Sequence, residues 1–151
     1  MESEETGERD ENGLLRYGKS VSKLGEISIE LEGAFVGGKL VRGIKKITRN
    51  GEVEAYESGI FSKGELQTPN GPITPVYYFD SEMVLHTIFF PGSLEPKFMR
   101  NNRLGFFDGK SFVGIEQHAD HFLQGIFDSD GNLVRGRRVD SSGEITKIKD
   151  I

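Results

Sequence analysis

An all-β fold of short antiparallel hairpins is predicted by three features of this 151-residue sequence. The first is repetition. The string Gly-x-Leu-x-x-Gly-x6-Gly-Glu-Ile runs from Gly13 to Ile27 and recurs with identical spacing from Gly131 to Ile145; a third copy, Gly38 to Val53, carries one extra residue. Self-similarity at fixed spacing is the mark of a stacking structural unit. The second feature is a beat of turn-type glycines at Gly13, Gly25, Gly38, Gly51 and Gly64, resumed at Gly109, Gly131 and Gly143, with a turn expected near Ala119 and Asp120. Asn-Gly and Asp-Gly supply the positive φ of tight hairpin turns, so each step reads as one strand and one turn. The third is the lack of any useful window that keeps a 3.6-residue apolar period free of Gly and Pro, which argues against helices.

Taken in order, residues 1–11 hold six acids (Glu2, Glu4, Glu5, Glu8, Asp10, Glu11), one Arg and no apolar residue beyond Met1. With nothing to dock, they are expected as a disordered acidic tail that could steer the protein to a basic partner. Residues 12–151 are expected as a single β-repeat domain. Its strands carry a second glycine series midway between turns: Gly18, Gly33, Gly43, Gly59, Gly114, Gly125 and Gly136. Mid-strand glycine implies a bend, or bare backbone onto which a neighbouring ring packs. Phe stands two residues after Gly33, Gly59, Gly105 and Gly125, and residues two apart share a strand face.

The rhythm fails over residues 68–100, which contain all five prolines. There the apolar runs Val76–Phe79 and Met83–Phe90 predict a longer hairpin turning at Asp80, Ser81 and Glu82, with proline-rich loops on either side. The whole is expected as an elongated single-layer meander of roughly ten strands. The alternative is an up-and-down β-barrel holding a small apolar ligand, with Tyr77, Tyr78, Phe79, Phe89 and Phe90 among its lining.

Composition narrows the class. Apolar residues make up only 35%, and the 20 glycines carry weight that side chains usually carry. There is no cysteine, which removes disulfides, thiolate metal sites and thiol nucleophiles. The net charge is −5, but beyond the tail 18 acids balance 18 bases, so nucleic acid is not an expected partner. No apolar stretch is long enough to span a membrane and the start is acidic, so a soluble cytoplasmic protein is expected.

The segments Leu31-Glu-Gly-Ala-Phe-Val-Gly-Gly-Lys-Leu-Val-Arg-Gly, Asn50-Gly-Glu-Val and Glu57-Ser-Gly-Ile-Phe-Ser-Lys-Gly-Glu-Leu66 resemble the MORN (membrane occupation and recognition nexus) repeat family. Residues 123–145 do so too, through Gly125, Phe127, Gly131, Gly136 and Gly143. The family's usual leading Tyr is Leu31, Glu57 and Leu123 here, and the last Gly of its Gly-x-Gly pair is Lys45 or Arg138. The resemblance covers about 13–66 and 105–145. It implies successive β-hairpins in a scaffold or protein-binding module, with homodimers and phosphoinositide binding among the family's habits.

Catalytic chemistry finds little purchase. There is no nucleophile elbow, phosphate loop or dinucleotide fingerprint, so no catalytic residue and no cofactor is expected. His118-Ala-Asp-His121 is the one cluster with a metal-like flavour, and His86 is the only other histidine. In an extended strand 118 and 121 point to opposite faces, and the segment coincides with an expected turn, so a polar hairpin turn is expected and no metal site. Acid pairs such as Asp128 and Asp130 read as solvated turn residues.

Two surfaces remain. Phe35, Phe61, Phe107 and Phe127 would line one face as an apolar strip, the expected contact for another protein. Arg42, Lys45 and Lys46, with Arg135, Arg137 and Arg138, follow the shared Leu-Val-Arg-Gly string and would stack into a basic stripe for an acidic membrane surface. The function expected is a non-enzymatic scaffold or protein-interaction module, with peripheral membrane binding as the alternative.

Overall fold

The structure, a computed structural model, describes residues 2–69, 75–88, 90, 97–100 and 102–149. Among them the strands are β1 (Glu2–Arg9), β2 (Leu15–Leu24), β3 (Ile27–Val36), β4 (Lys39–Arg49), β5 (Glu52–Ser62), β6 (Glu65–Pro69), β7 (Val76–Phe79), β8 (Leu85–Ile88), β9 (Lys97–Arg100), β10 (Arg103–Phe107), β11 (Phe112–Gln117), β12 (His121–Phe127), β13 (Leu133–Asp140) and β14 (Ile145–Ile148), with no helix. Strands β1 to β6 form one antiparallel six-stranded meander, β9 to β14 a second, and β7 pairs with β8. The all-β meander is therefore as expected, and the turns fall at the expected glycines. At Asn50–Gly51 both residues have positive φ, 53° and 83°, as a two-residue hairpin turn demands.

Three expectations are corrected. The barrel does not form: β1 and β6 are each paired on one side only, and β6 ends in Pro69, which has no N–H with which to extend a ladder. A single domain over 12–151 gives way to two compact units, Met1–Asp80 with Thr87–Ser93, and Ser81–His86 with Leu94–Ile151. The acidic tail is not a separate segment, because Glu2–Arg9 forms β1 and pairs with β2 from Glu2↔Lys23 to Arg9↔Leu15. What allows this is Gly7, which sits opposite Gly18 and extends the mid-strand glycine series by one strand. Phe89, Pro72, Pro91 and Pro96 lie outside the described residues.

That glycine series is a continuous row across each sheet. In the first unit Gly7, Gly18, Gly33, Gly43 and Gly59 are successive cross-strand partners, and in the second Gly105, Gly114, Gly125 and Gly136 are. The strands approach too closely there for any side chain: a Cβ on Gly43 would lie 2.0 Å from the Glu32 carbonyl oxygen. Neighbouring side chains cover the bare backbone, Leu15 over Gly18, Leu66 over Gly59 and the Phe112 ring over Gly105.

The row also folds the first sheet. Lys45 pairs with Glu57, yet its Nζ donates to the Gly64 carbonyl at 3.2 Å. Gly64 is seven residues further along the chain than Glu57, roughly 23 Å on a flat strand at ~3.3 Å per residue, several times the reach of a four-methylene side chain. The sheet must therefore crease at Gly43 and Gly59 and bring the hairpin tips back over mid-strand. This is how a one-layer sheet acquires a core: Leu15, Phe35, Leu40 and Phe61 are all at most 5% exposed, with Leu31 and Leu66 packed against them.

The other face of this sheet is covered separately. Val76, Ile88 and Phe90 pack with Ala34 against Tyr17, Val41 and Ile44. Tyr78 Oη donates to Glu32 at 2.5 Å, and the Phe79 N–H donates to Glu8 at 3.2 Å. Burial first, and then the Glu32 hydrogen bond, push the Tyr78 phenol above its ordinary pKa, so it stays a donor.

In the second unit the face bearing the glycine row holds Phe112 and Phe127, with ring centroids 5.6 Å apart. Over them lies Arg103, its guanidinium carbon 5.1 and 4.6 Å from the two ring centroids, ion-paired with Glu116 and donating through Nη2 to the Gly131 carbonyl at 3.1 Å. On the opposite face the Leu85 N–H donates to Gln124 Oε1 at 2.7 Å, and Lys147 pairs with Glu82 at 2.9 Å.

A candidate binding groove

The crease of the first unit opens on one side as a groove of about 610 Å³. Alternation sets its floor. Ile29 and Leu31 point to the same face of β3 as Gly33 and Phe35, and the folded-back ends of β4 and β5 bring Leu40 and Phe61 opposite them. Three lysines complete the wall. Lys39 follows the Gly37–Gly38 turn, Lys63 forms the next tip with Gly64, and Lys45 leans over from mid-strand. Among the described residues no carboxylate lies within ion-pair distance of Lys39, Lys45 or Lys63. The arrangement suits an apolar chain on the floor with negative charge at the rim.

Lys63 has a further peculiarity. It occupies the first position of a two-residue turn at φ +52°, with Gly64 at +80°. Asn or Gly adopts that left-handed conformation more readily than a lysine does.

The expected protein-contact residues are mostly inaccessible. Phe35 and Phe61 are 3% exposed inside the crease and Phe127 is 0% exposed, whereas Phe107 is 49% exposed, edge-on to Phe112 at 6.0 Å. For Phe35 and Phe61 the physical reason is the crease, which turns a strip that a flat sheet would display into core, while Phe127 lies beneath the Arg103 guanidinium.

The basic residues do not form one stripe on one sheet. Arg42, Lys45 and Lys46 lie on β4 of the first sheet, and Arg135, Arg137 and Arg138 on β13 of the second. Nor do those on β4 share a face. Lys45 overhangs the groove, while Lys46 on the opposite face clamps Glu30 at 2.9 Å with Lys19 at 3.1 Å. The hydrogen bonds from Lys46 and Lys19 hold the Glu30 carboxyl below its ordinary pKa, and Glu30 raises that of Lys46 in turn. Arg42 is half-buried, cross-strand between Ala34 and Ile60. On β13 Arg138 Nε donates to Asp140 at 2.9 Å, Arg137 Nη1 reaches the Glu82 carbonyl at 3.4 Å, and Arg135 is half-buried.

The histidine segment is the expected polar turn, but its side chains do not point apart. The His118 N–H donates to the His121 carbonyl at 2.8 Å, closing the β11–β12 hairpin, and the rings stack with centroids 4.4 Å apart. Residues flanking a tight turn face each other across the ladder, so the extended-strand rule does not apply to them. His118 Nε2 is 2.6 Å from Glu116 and His121 Nδ1 is 2.6 Å from Asp120. Burial would raise the Glu116 carboxyl, but hydrogen bonds from His118 and Arg103 outweigh it and hold the pKa below the ordinary value. The His121 hydrogen bond likewise lowers that of Asp120. Among the described residues no group of three or more His, Asp or Glu side chains is placed to hold a metal ion.

Comparison with family models, curated proteins and solved structures gives no match. The likeness to MORN repeats rests on the sequence strings alone. Among the described residues no helix is long and apolar enough to cross a membrane.

Of the groove residues, sequence reasoning singled out Lys45 and Phe61 and missed Ile29, Leu31, Leu40, Lys39 and Lys63. The available signal was Lys63 itself, a lysine directly before Gly64 where the turns at Gly13 and Gly51 have Asn-Gly and the one at Gly38 has Gly-Gly.

Proposed function

We propose that the protein is a non-enzymatic binding module whose site is the lysine-rimmed groove of the first unit. The observation that carries this reading is the groove: about 610 Å³, floored by Ile29, Leu31, Leu40 and Phe61, within the size range of small-ligand sites. Support also comes from the ionisable side chains. Glu30 with Lys19 and Lys46, Tyr78 with Glu32, and Glu116 with Arg103 and His118 are engaged in pairs that hold strands together. A cysteine-free chain suits the reducing cytoplasm, where we place the protein.

The test is to fill the groove. The dye 1-anilinonaphthalene-8-sulfonate, apolar and anionic, should bind the folded protein one to one and fluoresce. In Ile29→Trp the affinity should fall at least about tenfold while the urea midpoint stays near wild type. Equal affinity in the two proteins would place the dye elsewhere and sink the groove as the site.

Protein binding is the second reading, favoured by Phe107, which remains exposed beside its buried partner Phe112. A photo-crosslinking residue at 107 should then yield discrete adducts in native extract that the same residue at Lys110 does not. Identical adduct patterns from both positions would remove this reading.

A further inference from the structure

We propose that the groove of the first unit takes a single-chain anionic amphiphile, an unbranched hydrocarbon chain ending in a carboxylate or a similar compact anion. This rests on the groove being the binding site and adds the chemical class of its occupant. Three observations carry it.

The site is recessed. Its accessible floor is the half-buried pair Ile29 and Leu31, set between the hairpin tips and backed by Leu40 and Phe61 of the core, which are 5% and 3% exposed, a width that suits a narrow chain better than a broad bilayer surface. Its size suits one chain. A methylene takes up about as much space as a water in the liquid, ~30 Å³, so ten carbons fill roughly 300 Å³ and leave room for a head group. Its charge is one-sided. Lys39, Lys45 and Lys63 converge from two hairpin tips and one mid-strand position, and among the described residues none has a carboxylate within ion-pair distance.

The contrast with Lys46 is instructive. On the opposite face of the same strand, that lysine and Lys19 are matched by Glu30. The clefts on that face are lined by carboxylates, Glu30 among them, whereas the groove that holds Lys39, Lys45 and Lys63 is lined by none. Lys63 adds to the point, since it holds a left-handed turn position at φ +52° that suits Asn or Gly better. A compact head group within reach of all three ammonium groups would neutralise them while the chain covers Ile29 and Leu31.

The experiment is isothermal titration of full-length protein with decanoate, and with 1-decanol and octanoate as comparators. One decanoate should bind per chain. Octanoate, shorter by two methylenes, should bind about fifteenfold more weakly if both are buried, at about fourfold per methylene. Decanol should bind at least about tenfold more weakly than decanoate, and the double variant Lys39→Gln, Lys63→Gln should lose that preference. Both lysines are exposed on hairpin tips, so the variant should keep its fold, checked by circular dichroism.

If decanol equals decanoate and Ile29→Trp abolishes both, the groove stands as an apolar site and the anionic class is wrong. If no single-chain ligand binds, yet the protein sediments with phosphatidylserine vesicles or binds an acidic peptide, the amphiphile is overturned in favour of a macromolecular partner. Binding of decanoate that Ile29→Trp leaves unchanged would sink the amphiphile and the groove together.

Discussion

Replacing Gly43 with alanine tests the physical basis of the fold, because that position sits in the middle of the first glycine row. A Cβ there would lie 2.0 Å from the Glu32 carbonyl oxygen and 2.9 Å from the Gly33 Cα. Carbon and oxygen normally meet no closer than ~3.3 Å, so β3 and β4 must part by about 1 Å, enough to break the adjoining ladder bonds at about 1 kcal/mol each. The backbone adds to this, since φ is +148° and a side chain in that region costs about 1–3 kcal/mol. With two ladder bonds lost, the total is about 3–5 kcal/mol. The control is Gly51→Ala, in the turn between β4 and β5: φ is +83°, but nothing lies within 4 Å of the new Cβ, so only about 1–2 kcal/mol of conformational cost is expected. The assay is urea unfolding at 25 °C followed through NMR signals of β3 and β4, so that the first unit is read by itself. At an m-value of about 2 kcal/mol/M, the Gly43 variant should lose about 2 M in midpoint and the Gly51 variant less than about 1 M. Equal losses would refute the claim that close backbone approach is why glycine is needed along the row.

Other expectations follow from the same structure. Lys63→Asn should raise stability by about 0.5–1 kcal/mol in thermal or urea unfolding, because Asn is at ease at φ +52°, while weakening decanoate binding; a variant that is less stable would contradict the turn assignment. Glu116 should make the second unit acid-sensitive. Its folded-state pKa is depressed below 4.5, so the stability it contributes is complete above that value and is lost as pH falls through the folded-state pKa. Glu116→Gln should flatten the decline in NMR-monitored urea midpoint of β11 and β12 below pH 4.5, and an unchanged slope would show that the Arg103–Glu116–His118 cluster does not govern it. Pro69→Val restores a donor on the edge strand β6 and should increase concentration-dependent self-association in analytical ultracentrifugation relative to wild type; identical sedimentation of the two proteins would show that Pro69 does not guard this edge.

Much of the fold was legible because glycine has few reasons to recur. The turn glycines, from Gly13 to Gly143, could be read from Asn-Gly and Asp-Gly pairs and their spacing, and the structure puts turns there. The mid-strand series was legible as a bend, and its cross-strand alignment follows from matched distances on either side of a turn, Gly43 and Gly59 each standing eight residues from Gly51. Gly7 was hidden among six acids, and local composition outweighed its place in the rhythm, so β1 read as a tail. The groove was harder. Its residues come from three strands, and only the crease brings Leu31 and Ile29 toward Leu40 and Phe61. A sequence shows that glycines permit a fold-back, but its depth depends on contacts such as Lys45 with Gly64. The same crease hid Phe35 and Phe61, which a flat sheet would have displayed. The stacking of His118 on His121 was misread because alternation along a strand does not hold across a tight turn.

The most direct test of the binding site is a set of nuclear Overhauser contacts between bound decanoate and the methyl groups of the protein. The expected result is cross-peaks from the chain methylenes to Ile29, Leu31 and Leu40, with shifts of the Lys39 and Lys63 amides. Cross-peaks confined to Leu104 and Ile115 of the second unit, with Ile29, Leu31 and Leu40 silent, would contradict it.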